Sequence, residues 1–257
     1  MIRVPALAAA LLCVTAATHA SAAMTATPVL TGLTNLRDTA PDPRGRRLYF
    51  IADGSRGPAV FRLTLASGTV RELWSGAPLV SPQGLAVGDD GGEVYVADPG
   101  AAGGGVLFAF DDAGPRPLVR GYHPRGVEVR AGHVYFTGDD KRNGLPGLFR
   151  VHEDGGRVEI LAEGGPFRHP VGVALGRRGD AWISDETGPG WAQVIHVEGG
   201  QAEIVTVALP VGRGRTPWAL SRSGTEPWPD EPVATSRTRA GTFSAVPMLT
   251  TTTPRRR

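Results

Sequence analysis

The sequence predicts an all-β chain, a β-propeller with four recognisable four-stranded blades and a disordered C-terminal tail, and three observations predict it. Prolines that open an apolar run stand at Pro82, Pro124, Pro170 and Pro217, spaced 42, 46 and 47 residues apart. Aspartates that close a second apolar run stand at Asp53, Asp98, Asp139 and Asp185, spaced 45, 41 and 46. A third run of alternating pattern follows each aspartate: AVFRL from Ala59, VLFAF from Val106, GLFRV from Gly147 and QVIHV from Gln193. Markers that share one period of about 40–50 residues indicate a repeat array. Short strands separated by regular turns indicate antiparallel meanders. The 36 glycines and 22 prolines fit many tight turns, because Gly supplies φ > 0 and Pro fixes φ near a turn value.

Taken in order, residues 1–22 read as a signal peptide, with Arg3, an apolar run from Val4 to Ala17, and small residues Ala20, Ser21 and Ala22 at an A-x-A cleavage site. That run is shorter than the roughly 20 residues that span a bilayer. The expected location is periplasmic or secreted, with no membrane contact after cleavage. Residues 23–32 read as a lead-in, with Thr27–Leu30 an outer strand that completes the last blade. The repeats occupy 33–220, with blades at about 33–76, 81–120, 123–162 and 169–208 and the start of a fifth at 216–221. In the first, Asp42 to Arg46 makes the hairpin turn and Thr69 to Trp74 the outer strand. The clearest unit, blade two, reads as Leu85 to Val87, Glu93 to Ala97, Val106 to Phe110 and Arg116 to Val119. Runs such as LYFIA lack polar alternation because each sheet buries both faces against its neighbours.

No second strand follows Pro217 to Ser221, and 222–257 is rich in Ser, Thr, Arg and Pro, a composition that cannot offset its ordering entropy. Two readings stand: a native flexible tail, or a coding sequence that has lost its frame or end and with it the last blades. The second is preferred, and it implies an open arc of blades. Cys13 is the single cysteine, so a chain starting at Ala23 has neither disulfides nor thiolate metal sites. A net charge of +2 and export both argue against a nucleic-acid partner.

The unit P-x-G-[LV]-x-[VL], followed by an aromatic residue and an aspartate in LYFIAD, VYVAD, VYFTGD and AWISD, resembles the NHL-repeat and gluconolactonase (regucalcin-like) six-bladed propellers across Leu33 to Leu220. The resemblance implies an incomplete six-bladed ring. It also implies a lactone or ester hydrolase activity with calcium at the central channel, held by a Glu in an E-G-P motif and by Asn or Asp at the x of P-x-G. Here the first position is Arg37 and the x positions are Gln83, Arg125 and Val171; a one-residue slip would bring Asp38 to the first site. Two arginines repel a cation, so the expectation is no metal, and a hydrolase of this kind would be inactive for want of its ligands.

Arg37, Gln83 and Arg125 could instead converge at one channel mouth and bind an anion, since Arg offers a bidentate fork. The bland reading pairs the arginines with Asp98 and Asp139. His123 and His169 precede equivalent prolines; they read as mouth residues or as turn histidines bonded to backbone, with a third zinc ligand lacking at Ser81 or Thr216. The four repeated aspartates read as acceptors of backbone N–H groups that shape the next loop. Gly138 to Pro146 lacks EF-hand spacing and reads as a mobile surface loop, and Ser184 as a strand residue. The Gly-rich Pro99 to Gly105 leads to a strand rather than a helix. The function expected is an exported ligand-binding or scaffold module taking an unknown small molecule or protein at the rim, the alternative being the gluconolactonase-like hydrolase.

Overall fold

The computed structural model describes residues 28–210, with the backbone alone for 206–210. The expected signal segment, the fifth unit at 216–221 and the tail at 222–257 lie outside the described residues. The chain divides after Thr31. In the first unit, residues 28–31 carry no regular secondary structure, so Pro28 to Leu30 do not form the expected lead-in strand. Pro28 brings no N–H to a ladder.

In the second unit, sixteen described strands form four antiparallel sheets, each a meander of four strands consecutive in the chain. The first blade holds β1 (Thr39–Pro41), β2 (Arg47–Gly54), β3 (Gly57–Thr64) and β4 (Thr69–Ser75). The second holds β5 (Gly84–Val87), β6 (Val94–Asp98), β7 (Val106–Asp111) and β8 (Gly114–Arg120). The third holds β9 (Val127–Arg130), β10 (His133–Asp139), β11 (Pro146–His152) and β12 (Glu159–Glu163). The fourth holds β13 (Pro170–Leu175), β14 (Ala181–Gly188), β15 (Trp191–Glu198) and β16 (Gln201–Pro210). Inner strands neighbour one another in chain order: β5 packs on β1 and β9, and β9 on β13. This is the blade arrangement of a β-propeller.

The core lies between blades because successive residues of a strand face opposite sides. In β6, Val94 and Val96 join Tyr49, Ile51, Val60 and Phe108 in the cluster between blades one and two. Tyr95 and Ala97 of the same strand join Val127, Phe136 and Phe149 in the cluster between blades two and three. A third cluster, with Leu148, Phe167, Val173, Ile183 and Ile195, joins blades three and four. All five residues of β6 are buried, which is why VYVAD shows no polar alternation.

The glycines of P-x-G set the spacing of the inner strands. A Cβ at Gly126 would lie 2.6 Å from the Val171 carbonyl oxygen and 2.8 Å from the Gly172 Cα, and one at Gly84 would run into the Arg125 carbonyl. The glycines of blades two and three therefore abut the x residue of the next blade, at a distance only a side chain of one hydrogen permits.

Candidate ligand site at the inner-strand ends

Backbone hydrogen bonds define which residues are equivalent from blade to blade. The Arg37 N–H donates to the Ile51 carbonyl at 3.0 Å, that of Gln83 to Ala97 at 2.8 Å and that of Arg125 to Thr137 at 2.9 Å. The return bonds run from Ile51 N–H to the Asp38 carbonyl and from Thr137 N–H to the Gly126 carbonyl, both at 3.0 Å. Arg37, Gln83 and Arg125 thus stand at one level on three successive inner strands, and Asp38 takes the place that glycine holds elsewhere. The one-residue slip that would bring Asp38 to the first site does not occur.

Asp38 has a different task. Its Oδ1 accepts the Thr39 N–H at 2.8 Å, and its Oδ2 crosses to blade two to accept the Leu85 N–H at 2.7 Å. Burial pushes its carboxyl up to about 7, against the opposing pull of these two N–H donors. Both oxygens are engaged with backbone.

Of these three aligned residues, Arg125 is buried and committed to its own blade: Nη1 and Nη2 donate to Asp139 Oδ1 and Oδ2 at 3.2 and 2.7 Å. His123 adds its Nδ1 at 3.9 Å from the same carboxylate. Its backbone stands at φ +42°, a left-handed conformation that a histidine adopts at a cost of about 1–3 kcal/mol. His169 is held apart by its own partner, Glu186 Oε2, 3.2 Å from Nδ1. Gln83 buries an Oε1 that has no hydrogen-bond partner among the described residues. Arg37 has no side-chain hydrogen bond among the described residues, so it and Gln83 are the groups left for a ligand.

The repeated aspartates diverge. Asp98 accepts from the N–H groups of Val80, Ser81 and Gly100, at 2.7, 3.0 and 3.0 Å. Asp185 accepts from those of Arg168 and His169 and from Gln193 Nε2; burial raises its carboxyl in spite of these donors. In blades two and four the carboxylate accepts backbone N–H groups, as the sequence suggests, but chiefly those at the entry to the inner strand; only Asp98, through Gly100, also holds the loop that follows it. In blade three Arg125 captures Asp139, and in blade one the exposed Asp53 accepts from Asn35 Nδ2 at 2.6 Å. In the loop after β10, residues 141–145 are exposed, as expected of a surface loop, and Asp140 anchors its start. Asp140 is buried, accepts the Arg142 N–H at 2.9 Å and pairs with the Arg142 guanidinium at 2.5 Å, which draws its carboxyl down to about 2. Ser184 lies buried in β14, as a strand residue.

The donor set does not fit calcium, which takes 6–8 hard oxygen ligands. Arginines hold two of the aligned positions, Asp38 spends its oxygens on N–H groups, and no group of three metal-ligating side chains occurs among the described residues.

No protein-family profile matches the chain. No curated protein sequence matches it either. Solved structures do. A chain of the nidogen/laminin complex superposes with a TM-score of 0.57 at 19% identity, over 69% of this chain and 67% of that one. TolB from Acinetobacter baumannii gives 0.56 at 17%, over 70% and 45%. A gluconolactonase from Xanthomonas campestris gives 0.54 at 21%, over 71% and 65%. The chain therefore spans 45% of the TolB chain and about two thirds of the other two. These neighbours share the β-propeller fold and differ in function.

Proposed function

We propose that the chain is an exported ligand-binding propeller module that takes a small carboxylate-bearing molecule at the inner-strand ends, without chemistry of its own. The observation that carries this reading is the common register of Arg37, Gln83 and Arg125 on adjacent inner strands. Arg37 supplies the fork for the carboxylate, and Gln83 supplies an amide whose buried oxygen needs a donor such as a ligand hydroxyl. Arg125, neutralised by Asp139, acts as a wall and lends little charge. The second reading, a lactone hydrolase, rests on the likeness to the gluconolactonase, whose fold this chain shares.

The test is titration calorimetry with D-gluconate beside turnover of D-glucono-δ-lactone with and without calcium. Arg37→Ala should weaken gluconate binding by tenfold or more, since a hydrogen bond to a charged group contributes about 1.5–3 kcal/mol, and Gln83→Ala by about two- to tenfold, since a neutral one contributes about 0.5–1.5 kcal/mol. Equal affinity in both variants and wild type would overturn the carboxylate site. Calcium-dependent turnover would favour the hydrolase.

A further inference from the structure

A separate constellation lies at the far end of blade three, where β10 begins and β11 ends, and it does not depend on the carboxylate site. His133 and His152 face each other across the β10–β11 ladder. The adjacent pair is hydrogen-bonded, the Glu153 N–H donating to the Gly132 carbonyl at 3.1 Å. By the alternation of antiparallel ladders, His133 and His152 form a non-hydrogen-bonded pair, the kind whose side chains stand closest. Their ring centroids are 5.4 Å apart and the planes cross at 84°.

His133 has its Nδ1 tied to an oxygen, and His152 has a carboxylate oxygen beside its Nδ1. His133 Nδ1 lies 3.1 Å from the Ala131 carbonyl, and His152 Nδ1 lies 3.3 Å from Asp154 Oδ2. The hydrogen bond at His152 Nδ1 is one it accepts from the Asp154 N–H at 3.3 Å, which leaves the proton of the metal-free ring on Nε2; a cation at Nε2 displaces it, and the proton then sits on Nδ1 beside Asp154 Oδ2. His133, with its proton on Nδ1, presents its Nε2 lone pair directly. A carbonyl or carboxylate holding the far nitrogen is the arrangement that fixes the tautomer of a metal-binding histidine. A Cβ at Gly132 would still be 3.8 Å from His152 Nε2, so the flanking turn leaves that nitrogen unshielded. Arg130 stands opposite His133 on β9, but its guanidinium is drawn away to the Gly176 carbonyl of blade four.

We propose that His133 and His152 form a two-imidazole site for a divalent transition-metal ion, with water completing the coordination and Asp154 as a positioning residue. At metal–nitrogen distances of about 2.0–2.1 Å the two Nε2 atoms must come to about 3 Å from each other, so the two rings must turn toward one another when the ion binds. Imidazole selects copper, nickel or zinc, copper binding most tightly, and disfavours calcium and magnesium.

The probe is Cu²⁺ alone, titrated into the full chain and followed by calorimetry and electron paramagnetic resonance. One ion should bind, with hyperfine structure from two nitrogens. His133→Ala and His152→Gln should each lower affinity at least tenfold and leave one nitrogen coupling at most. Asp154→Asn, at a side chain 92% exposed that cannot unfold the blade, should lower it about 10–100-fold with both nitrogens kept. His123→Ala should change nothing. Absence of saturable binding, or an unchanged spectrum and affinity when both His133 and His152 are replaced, would end the proposal.

Discussion

Asp38 occupies a position where blades two and three carry glycine, and the substitution changes what that position does. At Gly84 and Gly126 the next blade's backbone leaves no room for a Cβ, whereas the Asp38 side chain reaches across to the Leu85 N–H and latches blade one to blade two. The latch titrates. Burial holds its folded value near 7, whereas an unfolded aspartate loses its proton near about 3.9. Between those values the folded chain keeps a proton that the unfolded chain has released, so the stability from this group is complete below about pH 4 and is lost as pH rises through 7. Asp38→Asn removes the titration. It also leaves one of the Thr39 and Leu85 N–H groups without an acceptor, at a pH-independent cost of about 1–3 kcal/mol. Urea unfolding of both proteins from pH 4.5 to 8 should show wild type well ahead at the acid end. The gap should close with rising pH by at most about 1.4 kcal/mol per pH unit. A gap constant across that range would refute the buried carboxyl.

At the scale of the strand, the P-x-G repeat is a spacing device. Gly126→Ala drives a methyl group into the Val171 carbonyl and the Gly172 Cα of the adjoining blade. Backbone cannot rotate away as a side chain can, so the expected cost is about 1–3 kcal/mol or more, in the range of overpacked cores. Gly188→Ala is the control: an added Cβ there meets nothing within 4 Å, and thermal denaturation should place it within about 0.5 kcal/mol of wild type. Comparable losses in both variants would show that glycine flexibility, rather than inter-blade contact, is what the motif provides. The strands themselves were readable because a fully buried sheet leaves continuous apolar runs bounded by turn residues, as in LYFIAD and VYVAD. Their hydrogen-bond register gives Arg37 the place in blade one that Gln83 and Arg125 hold in blades two and three, as the sequence pattern suggests. The repeat alone does not say where otherwise matching aspartates turn, although the Arg125–Asp139 pair is one that a reading of the sequence names. Asp98 and Asp185 pin backbone N–H groups, but Asp139 pairs with Arg125, because blade three alone among the described blades two to four puts an arginine at x. The His133–His152 pair was invisible for a related reason. Nineteen positions separate the two residues, and only the β10–β11 register makes them neighbours.

Across the molecule, stability is a chain of neighbour contacts, since each apolar cluster belongs to a single junction between successive blades. The junction of blades two and three contains an aromatic triangle. Phe136 stacks on Phe149 at 5.5 Å, and Tyr122 meets their edges at 5.9 and 5.2 Å. Phe149 and Phe136 are both completely buried, so Phe149→Ala forfeits a full aromatic burial, about 3–5 kcal/mol. In a quasi-one-dimensional array such a loss is felt first at its own interface and only through that interface elsewhere. Amide exchange should therefore accelerate most in β5 to β7 and β9 to β11, the strands that share this junction. The first blade, secured to the second by Tyr49, Ile51 and the Asp38 latch, should retain more of its protection. Uniform loss of protection from β1 to β15 in Phe149→Ala would show instead that the blades unfold as one cooperative body, with the junctions acting together rather than in series.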